Sequence, residues 1–219
     1  MSEHPIIAAL RRESFEPLGW FAPTAADGAP GGCRFMVLIG NAGPLLFRRF
    51  GRERQVGETL DQWTERVVTP LAATLGARAG FPFAAPPLPF LSWARAAGAG
   101  HVSPLGLNIH ARFGLWHAFR AVLFFPVALD LPPPGAGAHP CEACPGRPCL
   151  SACPVAAFSP AGYDVAACVD HIASAAGQLC MTGGCLARRA CPVGRAFTYE
   201  PEQMQFHMRA FLKARQEAP

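Results

Sequence analysis

Residues 141–154 read CEACPGRPCLSACP and residues 180–192 read CMTGGCLARRACP; with the solitary Cys168 between them, these runs hold eight of the chain's nine cysteines. The spacing is Cys141-x2-Cys144-x4-Cys149-x3-Cys153-Pro154 in the first run and Cys180-x4-Cys185-x5-Cys191-Pro192 in the second. Thiolates are metal ligands as well as nucleophiles, so a set this dense points first to bound metal. Both runs end in Cys-Pro, and proline, with no N–H and a fixed φ, turns the backbone away directly after the thiol.

The layout is that of two iron–sulfur clusters. In the bacterial ferredoxin run, three closely spaced cysteines hold one cluster and a fourth, followed by proline, ligates the other. Read so, Cys141, Cys144, Cys149 and Cys191 hold one 4Fe–4S cluster, and Cys153, Cys168, Cys180 and Cys185 hold a second. Each quartet takes a remote ligand from the opposite run. Three gaps depart from the usual spacing: four residues between Cys144 and Cys149, four between Cys180 and Cys185, and five between Cys185 and Cys191. The first insertion, Pro145-Gly146-Arg147-Pro148, suits a loop that bulges outward while both thiols converge. A single cluster, a zinc site and disulfides are the alternatives. Zinc favours paired Cys-x2-Cys knuckles, of which the chain has one.

Length and composition bound the rest. The 219 residues suffice for one large domain, or for a medium domain with a small one. With 51% hydrophobic and 16% charged residues the chain can bury a core, and its 22 Gly and 23 Pro imply many turns. The net charge of +4 is spread along the chain without the basic stripe of a nucleic-acid surface; it favours an acidic electron carrier as partner. The first ten residues lack the features of a signal peptide, and the longest apolar stretch, residues 118–131, is broken by Arg120, Pro126 and Asp130. A cytoplasmic chain is expected, with neither nucleic acid nor membrane as partner. In that compartment clustered cysteines bind metal more often than they form disulfides.

The composition changes near Leu131. Residues 132–140, PPPGAGAHP, read as a stiff linker between an apolar, aromatic-rich domain over residues 1–131 and a cysteine-rich domain over residues 141–219. The ninth cysteine, Cys33, reads as a core thiol of the first domain. There residues 34–40 predict a buried strand. Residues 59–75 predict a helix with Leu60, Trp63, Val67, Leu71 and Leu75 on one face, kinked or divided at Pro70. Residues 81–90 predict an extended packing segment, and residues 106–110 and 115–125 the strands of a hairpin turning at 111–114. In the second domain residues 147–157, 164–175 and 184–189 predict short helices, the middle one capped by Asp164. Residues 201–215 predict an amphipathic helix that packs through Met204, Met208, Phe211 and Leu212. The fold class is α+β.

Two regions resemble the superfamily of epoxyqueuosine reductases, reductive dehalogenases and cobalamin-processing decyanases. Residues 97–117, AGAGHVSPLGLNIHARFGLWH, resemble the reductases' AGLG-x-x-G-x-N stretch, and residues 109–116 within them resemble the decyanases' IHPRFGGW. Residues 163–168, YDVAAC, resemble the reductases' D-x-x-R-C-I-S-Y and make Cys168 the solitary ligand. The resemblance implies a nitroreductase-like α/β domain of the cobalamin-processing type, followed by a small bacterial ferredoxin-like domain. It also implies two 4Fe–4S clusters and a cobalamin, with His110, Arg112 and Trp116 as candidate corrinoid-pocket residues. One departure matters. Where the reductases carry a Gly-Arg-Asp-Tyr-His type segment and a downstream acidic proton donor, residues 81–90, FPFAAPPLPF, contain no acid. The cluster ligands therefore carry over where the reductase activity does not.

Other residues divide between two readings. His117 and Arg120 either join His110 and Arg112 around an anionic cofactor edge or are surface charge on a hairpin. His171 is either a cluster neighbour or a surface histidine. Arg188 and Arg189 are either cations that raise a cluster's potential or a solvated helix face. The expected function is intracellular electron transfer through two clusters, with a ferredoxin, a flavodoxin or a reductase as redox partner. A cobalamin-dependent reductase or corrinoid-processing enzyme is the rival oxidoreductase reading, and a zinc-stapled adaptor is a third.

Overall fold

The computed structural model describes residues 3–132 and 137–217. Its elements run α1 (Pro5–Arg12), β1 (Glu16–Phe21), β2 (Phe35–Ala42), α2 (Leu45–Glu53), α3 (Leu60–Thr74), β3 (Arg78–Gly80), α4 (Phe90–Ala96), β4 (His101–Val102), β5 (Asn108–Ile109), β6 (His117–Phe125), α5 (Pro148–Ser151), β7 (Phe158–Ser159), β8 (Gly162–Tyr163), α6 (Val165–Ala173), α7 (Gln178–Gly183), α8 (Leu186–Arg189) and α9 (Pro201–Gln216). The chain divides into two compact units, Met1–Gly100 with His117–Gly137, and His101–Trp116 with Ala138–Pro219. Residues 101–116, placed ahead of the linker by the sequence, thus fall with the cysteines. Of the linker expected at 132–140, residues 133–136 lie outside the described residues.

The first unit is built on an antiparallel sheet of order β1-β2-β6-β3. Strand β2 reads as an unbroken apolar run because both of its faces are covered. Met36 and Leu38 meet Val122 and Phe124 of β6 and Phe90, Trp93 and Ala94 of α4. The alternate residues Val37, Ile39, Ala121 and Leu123 are equally buried, and α2 packs on β2 while α3 packs on β6 and β3. Trp93 meets Phe124 edge-on at 5.8 Å and donates its indole N–H to the Asp27 carbonyl at 2.7 Å. Cys33 is half-buried against this core, and its thiol lies 3.4 Å from the Phe35 carbonyl that accepts its hydrogen bond.

Three expectations for this unit change. Helix α3 is not divided at Pro70. Its buried face is Leu60, Trp63, Thr64, Val68 and Ala72, which leaves Pro70 on the solvent side; there the missing N–H and the ring's bulk are tolerated. The capping box of Thr59 and Gln62 starts the helix. Residues 81–90 form turns and then open α4 at Phe90. Strand β6 begins at His117, and no hairpin joins it to residues 106–110. Instead β5 pairs with β4, and residues 110–114 close on themselves through a His110–Gly114 bridge.

Apart from the terminal helix α9, the second unit is made of short elements. Asp164 caps α6, accepting the Ala167 N–H at 2.9 Å. The helix expected at 147–157 is the single turn α5, followed by the β7–β8 hairpin. Helix α9 packs on α7 and α6, with Gln203 buried and Met204, Met208, Phe211 and Leu212 half-buried. Among the described residues no helix is long and apolar enough to cross a membrane.

The register of β2 against β6 shifts between Ile39 and Gly40, and a Cβ on Gly40 would lie 1.9 Å from the Ala118 carbonyl oxygen. Gly40→Ala is therefore expected to destabilise the protein by about 1–3 kcal/mol, measured as a lower midpoint in denaturant. Gly31→Ala, with nothing within 4 Å of its Cβ, is expected to leave that midpoint unchanged.

Candidate metal centre

Two one-turn helices place the cysteines. α5 carries Cys149 and ends two residues before Cys153, and α8 lies between Cys185 and Cys191. They pack against each other, and that packing brings cysteines of the two runs to one place. The core between them consists of Leu105, Ile109, Leu115, Ala187 and Cys191, with Cys141, Cys149, Cys153 and Cys185 packed against it. Residues 101–116 thus floor the cysteine region. Their turn is held tightly: Gly114 and Gly194 both have positive φ, and their backbones approach so closely that a Cβ on either would overlap the other's segment.

The eight thiols sort into two neighbourhoods. Burial pushes the Cys141 thiol up, like charge on Cys191, Cys149 and Cys144 pushes it further, and the Arg147 guanidinium opposes them. Cys149 is raised by burial and then by Cys191 and Cys144. Cys191 is raised by burial, against the Val193 N–H and the Arg195 guanidinium. The second neighbourhood is Cys153, Cys168, Cys180 and Cys185, which line one cleft together with His171, Phe158 and Met208. Burial raises Cys168, against a hydrogen bond from the Tyr163 hydroxyl. Burial also raises Cys185, against the backbone N–H groups of Arg188 and Ala187. Tyr163 is itself pushed up, by burial first, then by its bond to Cys168 and by the charges of Cys168, Cys185 and Cys153. The Ala157 N–H reaches Cys153 Sγ at 3.3 Å.

The donor chemistry, a set of thiols, is that of a soft-metal centre. Cys141, Cys149, Cys168, Cys185 and Cys191 resist ionisation, first through desolvation and then through neighbouring thiolate charge, and a bound metal centre offsets both penalties. Among the described residues no group of three or more His, Cys, Asp or Glu side chains is packed as closely as one metal ion requires.

The other candidate residues have protein partners. His110 Nδ1 accepts the backbone N–H of Arg112 at 3.0 Å and of Phe113 at 3.3 Å, fixing the turn. Arg112 is exposed over the rings of Phe113 and Phe197. Trp116 stands apart from both; it is buried beneath Arg188 and Tyr199. His117 and Arg120 fall in the other unit, where His117 is buried and Arg120 bonds Asn41 and pairs with Asp61. Spacing alone gave no sign of Arg147, Tyr163 or Arg195 as neighbours of the thiols.

Gly114→Ala puts a methyl group 2.0 Å from the Val193 carbonyl oxygen, two residues from Cys191. In the metal-free protein Cys191, 6% exposed, is expected to react faster with a thiol reagent in this variant than in the wild type. Mass-mapped alkylation checks this, with Cys168 as the unaffected reference.

No protein-family profile matches the chain, and no curated protein matches it in sequence. Among solved structures it is similar to epoxyqueuosine reductase from Streptococcus thermophilus, at 14% identity over 91% of this chain and 69% of that one, with a TM-score of 0.53. At that identity the likeness is one of fold: a mixed α+β chain with small antiparallel sheets, like that of an epoxyqueuosine reductase.

Proposed function

We propose that this chain is a redox protein carrying two 4Fe–4S clusters, one on Cys141, Cys144, Cys149 and Cys191, the other on Cys153, Cys168, Cys180 and Cys185. In finer terms we read the first unit as nitroreductase-like and the second as ferredoxin-like. The observation that carries the proposal is the crossing of the two runs. Cys191, from the end of the second run, has Cys141, Cys144 and Cys149 as neighbours, while Cys153, from the end of the first, joins Cys168, Cys180 and Cys185. Crossed ligation of this kind is what a two-cluster run requires.

When bound, such clusters accept and release single electrons at potentials set by charge, hydrogen bonding and exposure. The protein's part is to hold and shield. Cys180 and Cys191 are buried, the backbone N–H groups of Val193, Arg188 and Ala187 point at ligand sulfurs, and Tyr163 donates to Cys168. Arg147 and Arg195 place positive charge beside the first quartet. Electron transfer to or from a ferredoxin, flavodoxin or reductase in a reducing compartment is the role put forward.

A second reading, a corrinoid-dependent reductase, draws on the likeness of fold to epoxyqueuosine reductase. It ranks second because His110, Arg112 and Trp116 are engaged with protein partners and residues 81–90 supply no acid.

Metal and sulfide analysis of anaerobically purified protein tests both. About eight iron and eight sulfide per chain are expected for two clusters. Cobalt alongside them promotes the reductase reading, and zinc without iron overturns both.

A further inference from the structure

We propose that Arg188 is a positioning residue that raises the reduction potential of the second-quartet cluster by holding a fixed positive charge at the cavity that Cys185 also lines; this rests on the two-cluster reading above. The gap from Cys185 to Cys191 is the longest within either run. Its residues form α8, in which Ala187 is buried, Arg188 is half-buried and Arg189 is exposed. The extra length is thus used to build a helical turn that delivers one arginine inward and one outward.

Arg188 is fixed from several sides. Its guanidinium sits in the corner between two aromatic rings, 4.8 Å from the centre of Trp116 and 4.6 Å from that of Tyr199. Those rings meet at 69° with centres 5.4 Å apart. Its Nε donates to the Leu115 carbonyl at 3.1 Å, and a terminal nitrogen donates to the same oxygen. Its backbone N–H donates to the Cys185 sulfur. A cation held over aromatic faces and bonded to a carbonyl cannot swing into solvent to be screened.

A second observation points the same way. Trp116 is buried, and its indole N–H finds no acceptor among the described residues. Trp116, Arg188 and Cys185 together line one small cavity with Gly184, Met204, His207 and Met208. The residue with the orphaned donor and the residue with the fixed cation therefore border the same cavity as Cys185. Reduction adds one negative charge to a cluster, so a nearby fixed cation and hydrogen-bond donor favour the reduced form. Arg188 acts through this placement and not by touching the reacting metal.

The test is an anaerobic redox titration of the iron-loaded protein, read by electron paramagnetic resonance. The second cluster's signal is identified as the one lost in Cys168→Ser. Arg188→Met is expected to lower the reduced-to-oxidised ratio of that signal at fixed potential by about tenfold, which for one electron is 59 mV. Arg188→Lys, which keeps the charge, is expected to lie close to wild type, as is the exposed Arg189→Met. If Arg188→Met does not retain iron, Arg188→Gln, which keeps a donor for the Leu115 carbonyl, carries the same expectation. Full iron content with wild-type potentials in either neutral variant overturns the proposal and leaves the two-cluster reading standing. Wild-type protein that binds no iron overturns that reading itself.

Discussion

The packing of α5 against α8 is the contact on which the cysteine unit depends. Each helix is a single turn with a cysteine near either end, and its two cysteines lie in different neighbourhoods of thiols. A turn so short has no stability of its own. It holds because Ala187 and Leu150 bury against the floor supplied by Leu105, Ile109 and Leu115, and because the thiols at its ends share partners across the chain. Crossing follows from that geometry: once the helices pack, Cys191 falls among the first run and Cys153 among the second.

The same arrangement creates an electrostatic problem that the protein only partly solves. The thiols with resolved shifts are raised by burial first. The countermeasures are local: two arginines near the first quartet, a phenol hydroxyl on Cys168, and backbone N–H groups at Cys185 and Cys191. Each acts on a single thiol against the cost of burial, and a metal centre is the natural source of further positive charge. The first unit makes no such demand. Its sheet buries both faces of β2 under helices and is stable by ordinary apolar packing.

Much of this was legible in the sequence where chemistry and spacing coincide. The grouping of thiols by run and by terminal Cys-Pro, the buried strand near 34–40, the Asp164 cap and the terminal helix can all be read from residue types. Residues 101–116 read from the sequence with the first domain, because an apolar run continuing into β6 gives no hint that the chain passes from one compact unit to the other between Trp116 and His117. The hairpin expected at 106–125 failed for a related reason. Gly114 packs by backbone against Val193, a tertiary contact that no local pattern records. The buried face of α3 lies one residue on from Val67 and Leu71, because Val68 is as apolar as Val67 and because packing buries the small Ala72 ahead of the larger Leu71. Arg188 could be noted beside the cysteines but not distinguished from Arg189, because inward and outward differ only once α8 has packed.

Crossed ligation is tested most directly by protection mapping of Cys191→Ala in the iron-loaded protein. Alkylation followed by peptide mass analysis reports which thiols have lost their metal. Cys141, Cys144 and Cys149 are expected to become reactive while Cys153, Cys168, Cys180 and Cys185 stay protected. Exposure of Cys180 and Cys185 instead, with the first run still protected, would contradict the two quartets as assigned.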